Sequence, residues 1–196
     1  MRSITKLSLF IFFLCLFGIC SHAAEFSIQK GTDGKPDLIA MTGEIFKGDE
    51  IKFRVISAAS DAAIVSLDSP GGDLYPALTI GKLIHAMGYY TSVRKGAECN
   101  SSCALIWLAG QYKYLAKDSA IGFHEIIDCA PTKDAVRKMQ RAYALVGAYL
   151  QSLGIREGAI YLMLDFSEKP VNWLTWSNAR LFGISLVRAE SLEPSN

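Results

Sequence analysis

Asp68-Ser69-Pro70-Gly71-Gly72-Asp73 is the stretch on which the reading of this chain turns. Ala62 to Leu67, just before it, is a short apolar run bounded by turn residues, the pattern of a parallel strand buried on both faces. After it, Leu74, Leu78, Ile84 and Met87 recur near helical period until Gly88 stops them. Glycines at such a turn accept positive φ and let backbone amides approach a bound group at a helix N-terminus. Amides placed there suit a carbonyl oxygen that gains charge during acyl transfer. They suit a phosphate or an acyl thioester as well, and a plain strand-to-helix turn has the same composition, so the motif needs partners elsewhere in the chain.

About thirty residues on, Cys99-Asn100-Ser101-Ser102-Cys103 heads a second helical run over 102–108, which Gly110 ends. Serine is a common N-cap, so this pair alone says little. Tyr89 to Arg94, Tyr112 to Leu115 and Ala120 to His124 read as strands, the last delivering Phe123-His124-Glu125. Upstream, residues 25–36 read as a loose lead-in and Leu38 to Phe46 as a strand. Asp49 to Ala59 fits either a strand on Ile51, Phe53 and Val55 or a helix opened by Asp49. Downstream, Asp134 to Leu153 carries a stripe of Val136, Met139, Tyr143, Val146, Leu150 and Leu153. Helices over 156–164 and 177–182 and a closing strand complete the pattern. Alternation of strands and helices predicts an α/β domain with a mainly parallel sheet.

The 196 residues, 51% apolar and 20% charged, are enough for one domain with a full core. A net charge of +1 gives no electrostatic case for nucleic acid as a partner. Arg2 and Lys6 followed by apolar Leu7 to Ile19 and then Ser21-His22-Ala23 read as a signal peptide cleaved after Ala23, with Ala24 the alternative. Ile19 is too bulky for lipoprotein processing before Cys20. The expected division is a signal peptide over 1–23, lead-in over 24–37, one domain over 38–190 and a tail over 191–196. Export leaves Cys99, Cys103 and Cys129 in an oxidising compartment, periplasmic or extracellular. The Cys99-x3-Cys103 spacing across a helix start permits a bridge, and Cys129 competes for either partner. No metal is expected, since the histidines and cysteines lack the usual ligand spacing.

A nucleophilic serine needs a base. Beyond the leader the histidines are His85 and His124. His85 falls roughly 20 Å along the helix after Gly72, whereas His124 follows a strand that can return beside the serines.

Thr42-Gly43-Glu44-Ile45, the Pro70-Gly71-Gly72 turn, the Cys99 to Cys103 helix head with Ala104 to Gly110, and Phe123-His124 together resemble the ClpP/crotonase superfamily. The resemblance runs from about Ile39 to Val187, and the Cys-x-Ser-x-Cys head is similar to an exported ClpP-like branch. It implies repeated β-β-α units. Counted back from Ala109-Gly110, it implies Ser101 as nucleophile and His124 as general base. Gly71, Gly72 and the Ser102 amide form the implied oxyanion hole. The implied acid is Asp165, or Glu168 if the register differs; Lys138 as a Ser-Lys base is the weaker variant. The expected activity is peptide-bond hydrolysis through an acyl-enzyme, without cofactors, by a self-associating protein. An ATP-driven unfoldase is not expected after export. The alternatives are a ClpP-like scaffold without turnover and a crotonase-like acyl-thioester enzyme, the latter disfavoured because coenzyme A is cytoplasmic.

Overall fold

The computed structural model describes residues 23–126, 132–167 and 169–188. The expected leader, apart from Ala23, and the expected tail lie outside them, as do Cys129 and Glu168.

The order of elements is β1 (Glu25–Gln29), β2 (Asp37–Thr42), α1 (Asp49–Ser57), β3 (Ala63–Asp68), α2 (Leu74–Ala86), β4 (Tyr90–Val93), β5 (Cys99–Asn100), α3 (Ser102–Leu108), β6 (Lys113–Leu115), β7 (Ala120–His124), α4 (Lys133–Ser152), α5 (Glu157–Leu164), β8 (Val171–Thr175) and β9 (Leu186–Arg188). Six strands form one sheet in the order β1-β2-β3-β4-β6-β9, parallel except for β1. A second sheet has the order β5-β7-β8, with β5 and β7 parallel and β8 antiparallel. The β-β-α repeat is visible in β4-β5-α3 and β6-β7-α4. In each, one strand joins the large sheet, the next joins the small one, and a helix follows.

Burial explains the layers. β3 is buried at Ala63 through Leu67, as a strand covered on both faces must be. All seven residues of α3 are buried, Trp107 completely. Its indole N–H donates to Tyr114 O at 3.1 Å, its carbonyl accepts from Thr91 Oγ1 at 2.6 Å, and Tyr149 Oη on α4 donates to Leu105 O at 2.9 Å. The helix is therefore tied to β4, β6 and α4 by polar groups that would otherwise be buried without partners. At about 1.5–3 kcal/mol for each large apolar side chain removed from water, α3 is the anchor of the core.

Several sequence expectations change. Residues 25–29 are a strand rather than part of a loose lead-in: Phe26 and Ile28 alternate inward and pair antiparallel with β2. Asp49 to Ser57 resolves as helix, with Asp49 and Glu50 in its first turn. Residues 176–183 form turns, not a helix, because Asn178 Oδ1 accepts from Thr175 N at 2.7 Å and its amide donates to Trp173 O at 2.8 Å. On α4 the buried residues are Ala135, Val146, Tyr149 and Leu150, while Val136 of the expected stripe is exposed.

Candidate active site

The site begins where β3 runs out. Ser69 N donates to Glu98 O at 2.6 Å and Asn100 N to Ser69 O at 3.1 Å, so the segment after β3 lies along β5. On the other side of β5, Ser101 N donates to Gly122 O of β7 at 2.8 Å. The chain must then turn at once into α3, and Ser101 makes that turn at φ 56°, ψ −125°. Non-glycine residues avoid this region, and such strain gathers at functional positions. Among the described residues only Asp33 shares a positive φ without being glycine. Ser101 occupies the N-cap position yet its hydroxyl makes no capping hydrogen bond, so the ordinary role of a serine here is set aside. A disulfide between Cys99 and Cys103, with Cα atoms 5.2 Å apart, closes the chain around this turn.

The glycine turn faces the same point. Gly71 and Gly72 have φ of 104° and 134°. A β-carbon on Gly71 would stand 2.6 Å from Ser101 Cβ, and one on Gly72 would stand 2.7 Å from Ile45 N. Ile45 holds the turn in place: its N–H donates to Gly71 O and its carbonyl accepts from Asp73 N, both at 2.7 Å. Gly71 N donates to Ser69 Oγ at 3.1 Å, so this amide is engaged and not presented to a ligand. No hydrogen bond among the described residues engages Gly72 N or Ser102 N.

His124 ends β7. With Gly72, Ser101, Ser102 and Glu125 it lines a cavity of about 250 Å³ whose other walls are apolar, among them Leu74, Leu105, Phe123 and Leu164. Its Nδ1 lies 2.8 Å from Glu125 O. A carbonyl oxygen can only accept, so Nδ1 carries a proton, which in the neutral ring leaves the lone pair on Nε2. No hydrogen bond among the described residues joins Ser101 to His124.

No hydrogen bond among the described residues joins Asp165 to His124. Its Oδ1 accepts from Ser167 N at 3.1 Å. Hydrogen bonds from the Ser167 side chain and backbone, and to a lesser degree from Tyr161, hold the carboxyl below its ordinary range. The chain does place it nearby. Asp165 O accepts from Asn172 Nδ2 at 2.8 Å, and Asn172 pairs with Phe123 in the β7–β8 register, one residue from His124. Lys138 and His85 are exposed on α4 and α2, and neither lines the cavity.

Ile45, Ser69 and Glu125 lie inside the quoted motifs, which assign them no role: Ile45 and the Glu125 carbonyl act through the backbone and Ser69 through its hydroxyl. Ser102 adds a further point, since its hydroxyl is buried without a hydrogen-bond partner. Among the described residues no group of three His, Cys, Asp or Glu could hold a metal ion, and no helix is long and apolar enough to cross a membrane.

No protein-family model and no curated protein matches the chain. Solved structures do. A ClpP1 mutant from Listeria monocytogenes superposes with a TM-score of 0.60 at 14% identity, covering 77% of this chain and 91% of its own. Two mutants of the membrane-bound stomatin-specific protease 1510-N are also similar. One has a TM-score of 0.55 at 20% identity, covering 76% of this chain and 77% of that one. The other, in complex with a substrate peptide, has a TM-score of 0.58 at 21% identity, with 76% and 73% covered. At these identities the likeness establishes the fold.

Proposed function

Starting from a ClpP-like fold, we propose that this chain is a serine peptidase that cleaves peptide bonds through an acyl-enzyme on Ser101. The observation that carries the reading is the conformation of Ser101. At a strained φ of 56° its hydroxyl makes no capping bond to α3, and Ser101 lines a cavity shared with His124 and Gly72. Ser101 Oγ attacks the carbonyl carbon, and His124 Nε2 takes the hydroxyl proton and returns it to the leaving amine. The Gly72 and Ser102 amides receive the oxyanion. Water then attacks the acyl-enzyme along the same path.

The third member of the constellation is the acid. In the geometry described, the Glu125 carbonyl fixes the imidazole tautomer. Transfer of Nδ1–H from that carbonyl to the Asp165 carboxylate would complete a Ser-His-Asp triad. The link from Asp165 through Asn172 to β7 supports that assignment.

The reading includes a setting. The charged, apolar and small-residue sequence over 1–23 supports export to the periplasm or beyond, and the neighbour carrying a substrate peptide supports peptides as substrates. Self-association into a ring or stack belongs to the same proposal.

Fluorophosphonate labelling tests the nucleophile. The intact protein reacts covalently, Ser101→Ala does not, and Ser102→Ala does. Absence of labelling in the folded protein would favour the second reading, a binding module without turnover. That alternative has its own support in the missing hydrogen bonds from Ser101 to His124 and from His124 to Asp165.

A further inference from the structure

Ala24 immediately precedes β1 and is 2% exposed, and its N–H donates to Asp49 Oδ2 at 3.3 Å. Asp49 is itself 1% exposed. Its carboxylate also accepts from Phe46 N at 2.8 Å through Oδ2 and pairs with Lys52 Nζ at 2.8 Å through Oδ1. Lys52 Nζ reaches the Ala24 carbonyl as well, at 3.4 Å. A neutral peptide N–H at the long end of the hydrogen-bond range makes modest use of one oxygen of a buried carboxylate.

The sequence breaks at this same place. The small residues of Ser21-His22-Ala23 put the expected cleavage between Ala23 and Ala24. Ala23 is exposed and bridges Glu44 in parallel, while Ala24, the next residue, is buried. Cleavage one residue later would remove the residue that fills the buried position. Hydrolysis of the Ala23–Ala24 bond adds one water, leaves a carboxylate on Ala23 and frees an α-ammonium on Ala24.

We propose that Ala24 is the mature N-terminus and that Asp49 is the counter-ion of its ammonium. The inference rests on the export part of the function proposed above, and not on Ser101 chemistry. The new cation sits on the Oδ2 side, opposite Lys52 on Oδ1, so one carboxylate bridges two cations; its two oxygens have about four lone-pair sites for this purpose. A charged donor shortens and strengthens the contact to a carboxylate. Processing therefore fastens β1 to the first turn of α1. The same carboxylate holds the Phe46 amide, next to the Ile45 that holds the Gly71-Gly72 loop.

The test begins with the full chain expressed in an exporting bacterial host. Intact-mass measurement of the exported protein should give Ala24 as first residue; any other first residue, or an unprocessed chain, overturns the proposal. An unprocessed chain would also remove the export reading itself. Denaturant unfolding then compares Asp49→Asn in the exported protein and in the unprocessed chain. The folding equilibrium constant should fall about tenfold more in the processed form, where the variant leaves an ammonium without its partner. Equal losses in the two forms overturn the ion pair while leaving the processing site intact. If Asp49→Asn does not fold, amine-reagent modification of the exported wild type decides. The α-amine should react more slowly than the exposed lysines, and modification at the lysine rate rejects the pairing.

Discussion

Gly71 and Ser101 meet with no room between them: a β-carbon on Gly71 would lie 2.6 Å from Ser101 Cβ and 2.7 Å from Asn100 O. The glycine is required twice, by its φ of 104° and by the serine opposite. Gly71→Ala should push Ser101 off its turn. We expect fluorophosphonate labelling to fall to the level of Ser101→Ala, together with a loss of about 2 kcal/mol or more in denaturant unfolding. Labelling at the wild-type rate would show that the close approach does not position the nucleophile.

The histidine and the acid should separate in magnitude. His124→Ala removes the proposed general base, and acylation should slow by about 10²–10⁴-fold. Asp165→Asn should slow it by a smaller factor, because the Glu125 carbonyl can hold Nδ1 in place of the lost carboxylate. Single-turnover kinetics on a peptide ester measures both. A loss at Asp165→Asn as large as at His124→Ala would mean that the working enzyme uses the carboxylate throughout.

Asp37 gives a prediction for acid stability. Its carboxyl is lowered to about 2 by hydrogen bonds from Lys30 first, then Ser60 and the Gly31 amide, at 2.8, 2.6 and 2.8 Å. The folded value lies below the ordinary 3.8, so the native state holds the ionised form more tightly than the unfolded chain does. This stabilisation is complete above about pH 4 and is lost as pH falls through about 2. Asp37→Asn should flatten that part of the acid-unfolding curve; an unchanged slope would reject the assignment.

Tyr149 and Gly81 form a pair suited to a double-mutant cycle. The Tyr149 hydroxyl, whose ionisation is pushed upward by burial, donates to Leu105 O and fills the space where a β-carbon on Gly81 would go. Gly81→Ala should cost about 1–3 kcal/mol and Tyr149→Phe about 1–2 kcal/mol. Together they should cost less than their sum by about 1 kcal/mol, because removing the hydroxyl makes room for the methyl. Strict additivity in urea unfolding would contradict the contact.

The ClpP-like architecture was legible wherever a local pattern met a global requirement. Ala62 to Leu67 had to be a buried strand, and the run after Ser101 had to be a buried helix. What escaped was set by partners distant in sequence. Phe26 and Ile28 are too few to announce a strand without β2 beside them. Residues 176–183 have helical composition, but the Asn178 side chain competes for the backbone groups a helix would use. In the site, Ser101, His124 and Gly72 could be nominated from their motifs, and the structure places them around one cavity. The sequence could not foresee that Gly71 N would turn to Ser69 Oγ or that Asp165 would bond Ser167. Both are choices between nearby hydrogen-bond partners, which composition does not rank.

The complete burial of α3 has a consequence for measurement. The proposed nucleophile is the cap of the helix that anchors the core, so its reactivity cannot outlast the packing around Trp107. Covalent labelling at Ser101 therefore serves as a built-in gauge of integrity. Followed through a denaturant titration, it should trace the same curve as the tryptophan fluorescence, to which the buried Trp107 contributes beside Trp173 and Trp176.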